Sequence, residues 1–419
     1  MTPQKYELID SPSAMLAAMA DLRRTRSLAV DMEMENNCHH YGLHISIIQV
    51  SIPCGRNFIF DLLSGLDPRP LGEMLTDPAV EIIMHDADFD KRASYEIYRW
   101  KIKGLFDTKV AAQFCGFKAY GLAALLGGIL NVETNKKFQR IDWMKRPLRP
   151  DALEYAAGDV AHLFKIKEHL VRRLEDLGRL GWASEEFRRI EEDIGASPTV
   201  PPHLRIKKTS RLSPRHMAVL AALVRFRDGL ARKLDKPAQF VVRNELLVEL
   251  AVNPPETEEA VMNLRGVHPA LRGRKAAEGL LNAAAEGRAA PEEPHARRDD
   301  RPRPERGAEE RFRQMQEWRS ARGLELDIEP HLLLSNDILR WAAAHPGKPI
   351  PSETEGQLRR WQRALLWEEF QERFLRPAAP GPCHHVENTE PVRTSDHHMQ
   401  LPAGFAHASP KLFVAKKRK

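Results

Sequence analysis

"LAVDMEMENN", residues 28–37, decides how the first half of the chain is read. An apolar run, Leu28-Ala29-Val30, leads into Asp31, and Glu33 follows two positions on. In a β-strand successive side chains point to opposite faces, so Asp31 and Glu33 share one face. Two carboxylates side by side repel each other unless something positive lies between them. The stretch therefore predicts a strand that carries an electrostatic problem, to be solved by solvent or by a cation.

The neighbouring sequence extends the strand into a sheet. Apolar, β-branched runs recur at 45–52, 57–61, 81–85 and 104–107. Helical periodicity marks roughly 11–26, 88–100, 109–116, 120–130 and 151–177. The first three strands follow one another across short gaps, which predicts an antiparallel meander. The later strands alternate with helices. The expected fold of residues 1–195 is a mixed α/β sheet with helices on both faces.

Beyond it, 196–210 contains three prolines and reads as a linker. Residues 211–288 read as a small all-helical domain. Residues 289–306, rich in Pro and Arg, read as a second linker, and 307–376 as another helical domain. From 377 to 419 the chain is Pro-rich and basic, which predicts a disordered tail. "NELLVELAVNPP" (244–255) is echoed by "SNDILRWAAAHPGKP" (335–349), and "RFRDGLARKLDKP" (225–237) by "QEWRSARGLELD" (316–327). The echo predicts a duplicated helical module with a divergent second copy.

Composition narrows the function classes. The chain has 419 residues, 42% hydrophobic, with no apolar run long enough to span a bilayer and no secretory signal in its first thirty residues. Its four cysteines are scattered without a CxxC. That pattern predicts a reducing, cytoplasmic location and no membrane association. Residues 1–195 carry 26 Lys+Arg against 29 Asp+Glu, and the remainder 38 against 29. A basic second half is compatible with an acidic partner such as nucleic acid, and equally with plain solubility.

Two further stretches add carboxylates. "IIMHDADFDKRASY" (82–95) runs from strand to helix and offers Asp86, Asp88 and Asp90. "LRPDALEYAAGDVAHLFKI" (148–166) is an amphipathic helix on which Tyr155 and Asp159, four apart, share a face. A carboxylate beside a packing face needs a partner, because an isolated buried charge is costly. Mg²⁺, which takes oxygen ligands and tolerates several carboxylates, is such a partner. Two such ions about 3.5–4 Å apart run in-line phosphoryl displacement.

Asp31-x-Glu33 on a first strand, an Asp five residues after His85, and Tyr155-x3-Asp159 on a late helix together resemble the DEDD superfamily of 3′→5′ exonucleases. The tyrosine matches its DEDDy branch. "GLFDT" (104–108), "KKFQRIDWMKRPL" (136–148) and "YAAGDVAHL" (155–163), in that order, resemble the ribonuclease D family, and the helical modules resemble its HRDC domains, of which it can carry two. The resemblance spans roughly residues 5–376. It implies a ribonuclease H-like exonuclease domain over 1–195, HRDC-like domains over 211–288 and 307–376, and two divalent ions, Mg²⁺ or alternatively Mn²⁺, on Asp31, Glu33, Asp90 and Asp159. Tyr155 is implied to orient the attacking water. The family spacing from His85 selects Asp90, leaving Asp88 to cap the helix. Met32 and Met34 stand where the family often has Thr and Phe, so the grip on the 3′ end departs from the family pattern.

Met34, His85, Gln139, Arg140, Lys145 and Arg146 are the candidate substrate contacts. Trp143 is read as the packing residue of its loop. "Cys-His-His" occurs at 38–40 and at 383–385. Neither copy has a matching partner pair in sequence, and zinc is not expected at either. The implied function is a 3′→5′ exoribonuclease acting on RNA with a free 3′ end, with precursor tRNA as the family's substrate. A DNA 3′→5′ exonuclease with the same site and a noncatalytic nucleic-acid-binding module are the alternatives. The helical modules are expected to bind structured RNA and to be physically separate from the carboxylate chemistry.

Overall fold

The structure is a computed structural model that describes residues 5–133, 138, 141–193, 200–293 and 307–375. Six strands make one sheet: β1 (Glu7–Ile9), β2 (Ser27–Asn36), β3 (Leu43–Ser51), β4 (Asn57–Asp61), β5 (Glu81–Met84) and β6 (Leu105–Asp107), in the order β1-β4-β3-β2-β5-β6. β2, β3 and β4 pair antiparallel, as the short gaps predict. The β1–β4, β2–β5 and β5–β6 pairs are parallel. The helices interleaved with and following these strands are α1 (Pro12–Leu22), α2 (Arg69–Thr76), α3 (Asp88–Tyr98), α4 (Thr108–Phe114), α5 (Leu122–Leu130), α6 (Pro150–Ala161), α7 (Leu163–Asp176) and α8 (Leu180–Glu192).

The alternation in β2 divides the cores. Leu28, Val30 and Met32 join residues of α1, α2 and α3 on one face. Ala29, Ile83 and Phe106 join α4, α7 and α8 on the other, where α6 also covers Ile47 and Ile59. Each fully buried aliphatic side chain here contributes about 1.5–3 kcal/mol, so the register of β2 is strongly fixed. Asp31 and Glu33 alternate with Ala29 and therefore face α6.

Several expectations are corrected. β1, α2 and α8 were not predicted: β1 has three residues, too few to show a period, and α2 contains Pro and Gly. The helix expected over 151–177 is two helices meeting at His162. α6 must lie along β2, β3 and β4, whereas α7 packs on α4 and α5, and one straight rod cannot do both. The first linker is partly structured. Residues 200–210 include two 3₁₀ turns, and Ile206 is buried in the helical core that follows. Of the second linker, 289–293 are described, Ala289 closing α13, and Glu293 meets His203 at 2.6 Å. Residues 196–199, 294–306 and the tail 377–419 lie outside the described residues.

The first helical segment contains α9 (Pro214–Leu234), α10 (Ala238–Val241), α11 (Asn244–Val252), α12 (Glu258–Met262) and α13 (Arg274–Ala289). A Cβ on Gly287 would stand 2.5 Å from the Val219 Cα, so glycine is what lets α13 approach α9. The second segment contains α14 (Ala308–Glu325), α15 (Pro330–Leu333), α16 (Asn336–Ala344) and further helical turns across 360–374.

The two segments share internal geometry. The buried Arg227 on α9 donates to the Val242 carbonyl at 2.9 Å and to Asn244 Oδ1 at 2.7 Å. The buried Arg319 on α14 donates to the Leu334 carbonyl at 2.5 Å and to Asn336 Oδ1 at 3.0 Å. Each long helix is followed by an aspartate in the left-handed region, Asp235 (φ 48°) and Asp327 (φ 46°).

The expected physical separation does not hold for the second segment. Trp361 stacks on Trp182 at 4.9 Å and meets Phe114 edge-on at 5.5 Å. Arg359 pairs with the buried Glu186 of α8. One hydrophobic core runs from β5 and β6 through α4, α7 and α8 into residues 315–370. The apolar face of α8 needed a cover, and the chain supplies it more than a hundred residues later.

Candidate metal centre and its surroundings

β2 carries Asp31 and Glu33, and α6, lying across the same face, brings Tyr155 and Asp159 over them. Asp31, Glu33 and Asp159 each offer a carboxylate oxygen within 4.8 Å of the others. All three are half-buried, so they are enclosed by protein yet reachable from solvent. Asp90, in the first turn of α3, is buried and close enough to Asp31 for that charge to disfavour its own.

The electrostatics follow from this crowding. Burial pushes Asp31 up to about 7, against one backbone hydrogen bond from Met32 that lowers it. Burial pushes Asp159 up to about 8, with the charge of Asp31 adding and a hydrogen bond from Tyr155 opposing. Glu33 stands well above the usual carboxylate range, through burial and then the charges of Asp31, Asp159 and Asp90. Asp90 is also raised well above it, by burial and then by Asp31, Asp86 and Asp107. Among the described residues, no lysine, arginine or histidine figures among these causes. Crowded carboxylate oxygens that raise one another's proton affinity fit a divalent ion. Tyr155 is raised by burial and then by the charges of Asp159 and Glu33, so its hydroxyl keeps its proton and donates it to Asp159.

Two residues outside the sequence candidates aim this site. Asp107, at the end of β6, is buried and accepts hydrogen bonds from the backbone nitrogens of Ala87 and Lys109 (both 2.8 Å), Val110 (3.1 Å) and Asp86 (3.2 Å). It fixes the turn in which Asp86 takes φ 64° and from which α3 starts. Lys91, 2% exposed, donates its Nζ to the carbonyls of Ile190 and Asp193 and so ties α3 to the end of α8. "GLFDT" signalled the first through the family pattern. Nothing local in the sequence signals a lysine 99 positions from its acceptor.

The remaining candidates separate. Asp88 is on the surface, paired with Arg92 and Lys91 of its own helix, and makes no capping bond. Asp86 pairs with Lys109 at 2.5 Å. His85 is bonded through Nδ1 to Thr108 Oγ1 at 2.9 Å, and burial pushes it down to about 4, so it is neutral near pH 7. Arg146 is committed elsewhere. It meets Asp61 at 2.6 and 2.8 Å, the Trp143 carbonyl at 2.7 Å and Ser46 Oγ at 3.1 Å, which uses up its fork. Met34 is half-buried against the core. Lys145 is exposed. Gln139 and Arg140 lie outside the described residues. Trp143 packs with Phe138 and α6, its ring 6.5 Å from Tyr155.

A family model described as 3′-5′ exonuclease matches residues 6–175, and one described as HRDC domain matches 216–283. A ribonuclease D of Granulibacter bethesdensis is 31% identical over 295 residues, 68% of this chain and 72% of that protein. The chain belongs to the ribonuclease D family. A ribonuclease D of Gluconacetobacter diazotrophicus is 28% identical over 86% of this chain and 91% of its own length. The crystal structure of Escherichia coli RNase D, described as an exoribonuclease involved in structured RNA processing, superposes with a TM-score of 0.67 and 25% identity, covering 88% of this chain and 98% of that one. As a ribonuclease D, the chain is a 3′→5′ exoribonuclease, a phosphodiester hydrolase. Among the described residues, no helix is long and apolar enough to cross a membrane.

Proposed function

We propose that the chain removes nucleotides from the 3′ ends of RNA, precursor tRNA among them, releasing nucleoside 5′-monophosphates. The observation that carries the reading is the carboxylate cluster, three oxygens within 4.8 Å of one another with no protein cation among them in the described residues. Asp31, Glu33, Asp90 and Asp159 would hold two divalent ions, Mg²⁺ or Mn²⁺. Bound there, the ions supply Lewis acidity for activating water and for neutralising charge on the leaving 3′-oxygen.

The protein's own groups do the rest. Tyr155 retains its proton, donates it to Asp159, and leaves a hydroxyl oxygen that accepts a hydrogen bond from a water, fixing that water's direction of attack. This is the DEDDy arrangement. Asp107 and Lys91 hold α3 so that Asp90 stays beside Asp31. The water oxygen bonds to phosphorus, the bond from phosphorus to the 3′-oxygen breaks, and the 3′-oxygen takes up a proton. Tyr155→Phe should lower kcat about 100-fold, the usual scale for a group that orients a proton-transfer partner, while KM changes little.

We also propose that 307–375 is a divergent HRDC-like module. The Arg319–Leu334–Asn336 arrangement repeats Arg227–Val242–Asn244 with the same sequence spacing, and the left-handed Asp327 stands where Asp235 stands. The described ends of the modules are compatible with boundaries near 211–288 and 307–376.

The test is a degradation assay on matched RNA and DNA oligonucleotides labelled at the 5′ end, with Mg²⁺, beside Asp31→Asn. The expected result is a ladder shortening from the 3′ end of RNA that the variant does not produce. Equal or faster degradation of DNA would overturn the substrate assignment while keeping the site.

A further inference from the structure

The tip of the β2–β3 hairpin holds a second group of ligand-type side chains. Glu35, His39 and Asp142 each offer one donor atom, all within 4.8 Å of one another. The sequence gives Cys38-His39-His40 no partner pair. The fold supplies one, because Glu35 lies on β2 and Asp142 arrives from the segment that follows α5, more than a hundred residues away.

The two carboxylates are held by groups behind them, and His39 is held by Glu35. Glu35 is 1% exposed and accepts the backbone nitrogens of Cys38 and His39 on Oε1, which leaves Oε2 facing His39 Nδ1 at 3.2 Å. Asp142 accepts the Met144 nitrogen on Oδ1 at 3.1 Å, and its Oδ2 meets His40 Nε2 at 3.1 Å. His40 is in turn bonded to Asp235 at 2.6 Å, and Tyr41, through its backbone nitrogen, to the same carboxylate at 3.1 Å. Metal-ligating groups are fixed in this way, by outer partners that orient them.

The donor set is one imidazole nitrogen and two carboxylate oxygens. Two ligands about 2.0–2.1 Å from a tetrahedral ion stand about 3.3 Å apart, close to the 3.2 Å between Glu35 Oε2 and His39 Nδ1. A proton bridges that pair in the absence of metal, and an ion can replace it. Imidazole with carboxylate suits a transition cation such as Zn²⁺ better than Mg²⁺, which prefers oxygen alone. The side chains of His39 and Asp142 are 38% and 32% exposed, so a hydrated ion has access.

We propose that Glu35, His39 and Asp142 form a Zn²⁺ site, separate from the Asp31–Glu33–Asp159 cluster, with water completing the shell. The bound ion clamps the hairpin tip to the 141–148 segment, which carries Trp143 against α6. His40 extends the clamp to Asp235 at the end of α9, where Tyr41 also donates to Asp228 at 2.8 Å.

The test uses the full chain carrying Asp31→Asn and Asp159→Asn, which empties the catalytic cluster. It is dialysed against Zn²⁺ and its metal content is measured. His39→Ala and Asp142→Asn are each compared with that parent. The tail also holds histidines and a cysteine, so the readout is the difference between variant and parent. The expected result is one equivalent of Zn²⁺ lost in both variants, and loss in both of the visible absorption that Co²⁺ gives at the site. His203→Ala, a histidine paired with Glu293 elsewhere, should lose neither. Circular dichroism matching the parent shows that the variants are folded. Equal Zn²⁺ content and unchanged Co²⁺ absorption in folded His39→Ala and Asp142→Asn would overturn the site.

Discussion

Glu33 and Glu35 sit two residues apart on one strand and have opposite electrostatic fates. Glu35 is nearly sealed from solvent, yet hydrogen bonds from the backbone of His39, Cys38 and His40 and from the His39 ring outweigh its burial, and it stands below the usual carboxylate range. Glu33 faces Asp31, Asp159 and Asp90, and stands well above that range. The protein satisfies Glu35 from its own donors, whereas the described charges around Glu33 are all carboxylates. Glu35 therefore stays charged whether or not an ion joins it at the hairpin tip, whereas Glu33 and its neighbours need a cation from outside to share one face as carboxylates.

The sharpest way to break this contrast is to remove one charge from each side of it. Asp31→Asn should lower kcat by about 10³-fold or more, since the ions' stabilisation of transition-state charge is worth several kcal/mol. RNA affinity should hold, measured by titration without turnover. Glu35→Gln should leave kcat with Mg²⁺ within a few-fold. If the two variants lose activity equally, the contrast between the two glutamates carries no functional meaning.

Trp361→Ala tests how far the catalytic domain depends on a distant segment. Its ring is 4% exposed and stacks on Trp182, so truncation should cost about 3–5 kcal/mol, read by denaturant unfolding. For the same reason, cutting the chain after residue 195 should destabilise the exonuclease domain as well as weaken its hold on structured RNA. An undiminished melting temperature in either case would contradict the shared core.

Asp107→Ala strips the acceptor from four backbone nitrogens and should cost about 1–3 kcal/mol. It should also lower kcat, because α3 no longer presents Asp90 to Asp31. Loss of stability with full activity would remove Asp107 from the positioning role.

The smallest effect expected is a pH trend in the metal-free protein. Folded Asp31 and Asp159 hold protons up to about 7 and about 8, and the unfolded chain releases them near 3.8. Between those limits the folded state binds more protons, so stability is fully present below about 3.8 and is lost as pH rises through about 8. Asp31→Asn should flatten this decline and so raise metal-free stability at pH 8 while abolishing turnover.

Much of this was legible before the fold was known. The alternation in 28–34 announced β2 and the shared face of Asp31 and Glu33, and Tyr155 and Asp159 declared themselves by helical spacing. What was not legible was long-range. Arg146 looked like a free cation because its acceptor, Asp61, lies 85 positions away. The break at His162 follows from which helices cover which strands, and no local signal encodes it. The second helical segment reads as a separate module because 335–349 and 316–327 echo the first one, and an echo says nothing of what Trp361 packs against. Only the bare face of α8 explains where it goes.

The most direct measurement is the melting temperature of the wild type, Asp31→Asn and Glu35→Gln at pH 8 as Mg²⁺ is added. An ion that binds only the folded state contributes about 2.7 kcal/mol at a hundred times its Kd. A Mg²⁺-dependent rise is expected in the wild type and in Glu35→Gln, and none in Asp31→Asn. An equal rise in Asp31→Asn, or no rise in the wild type, would contradict the reading of the cluster as a metal centre.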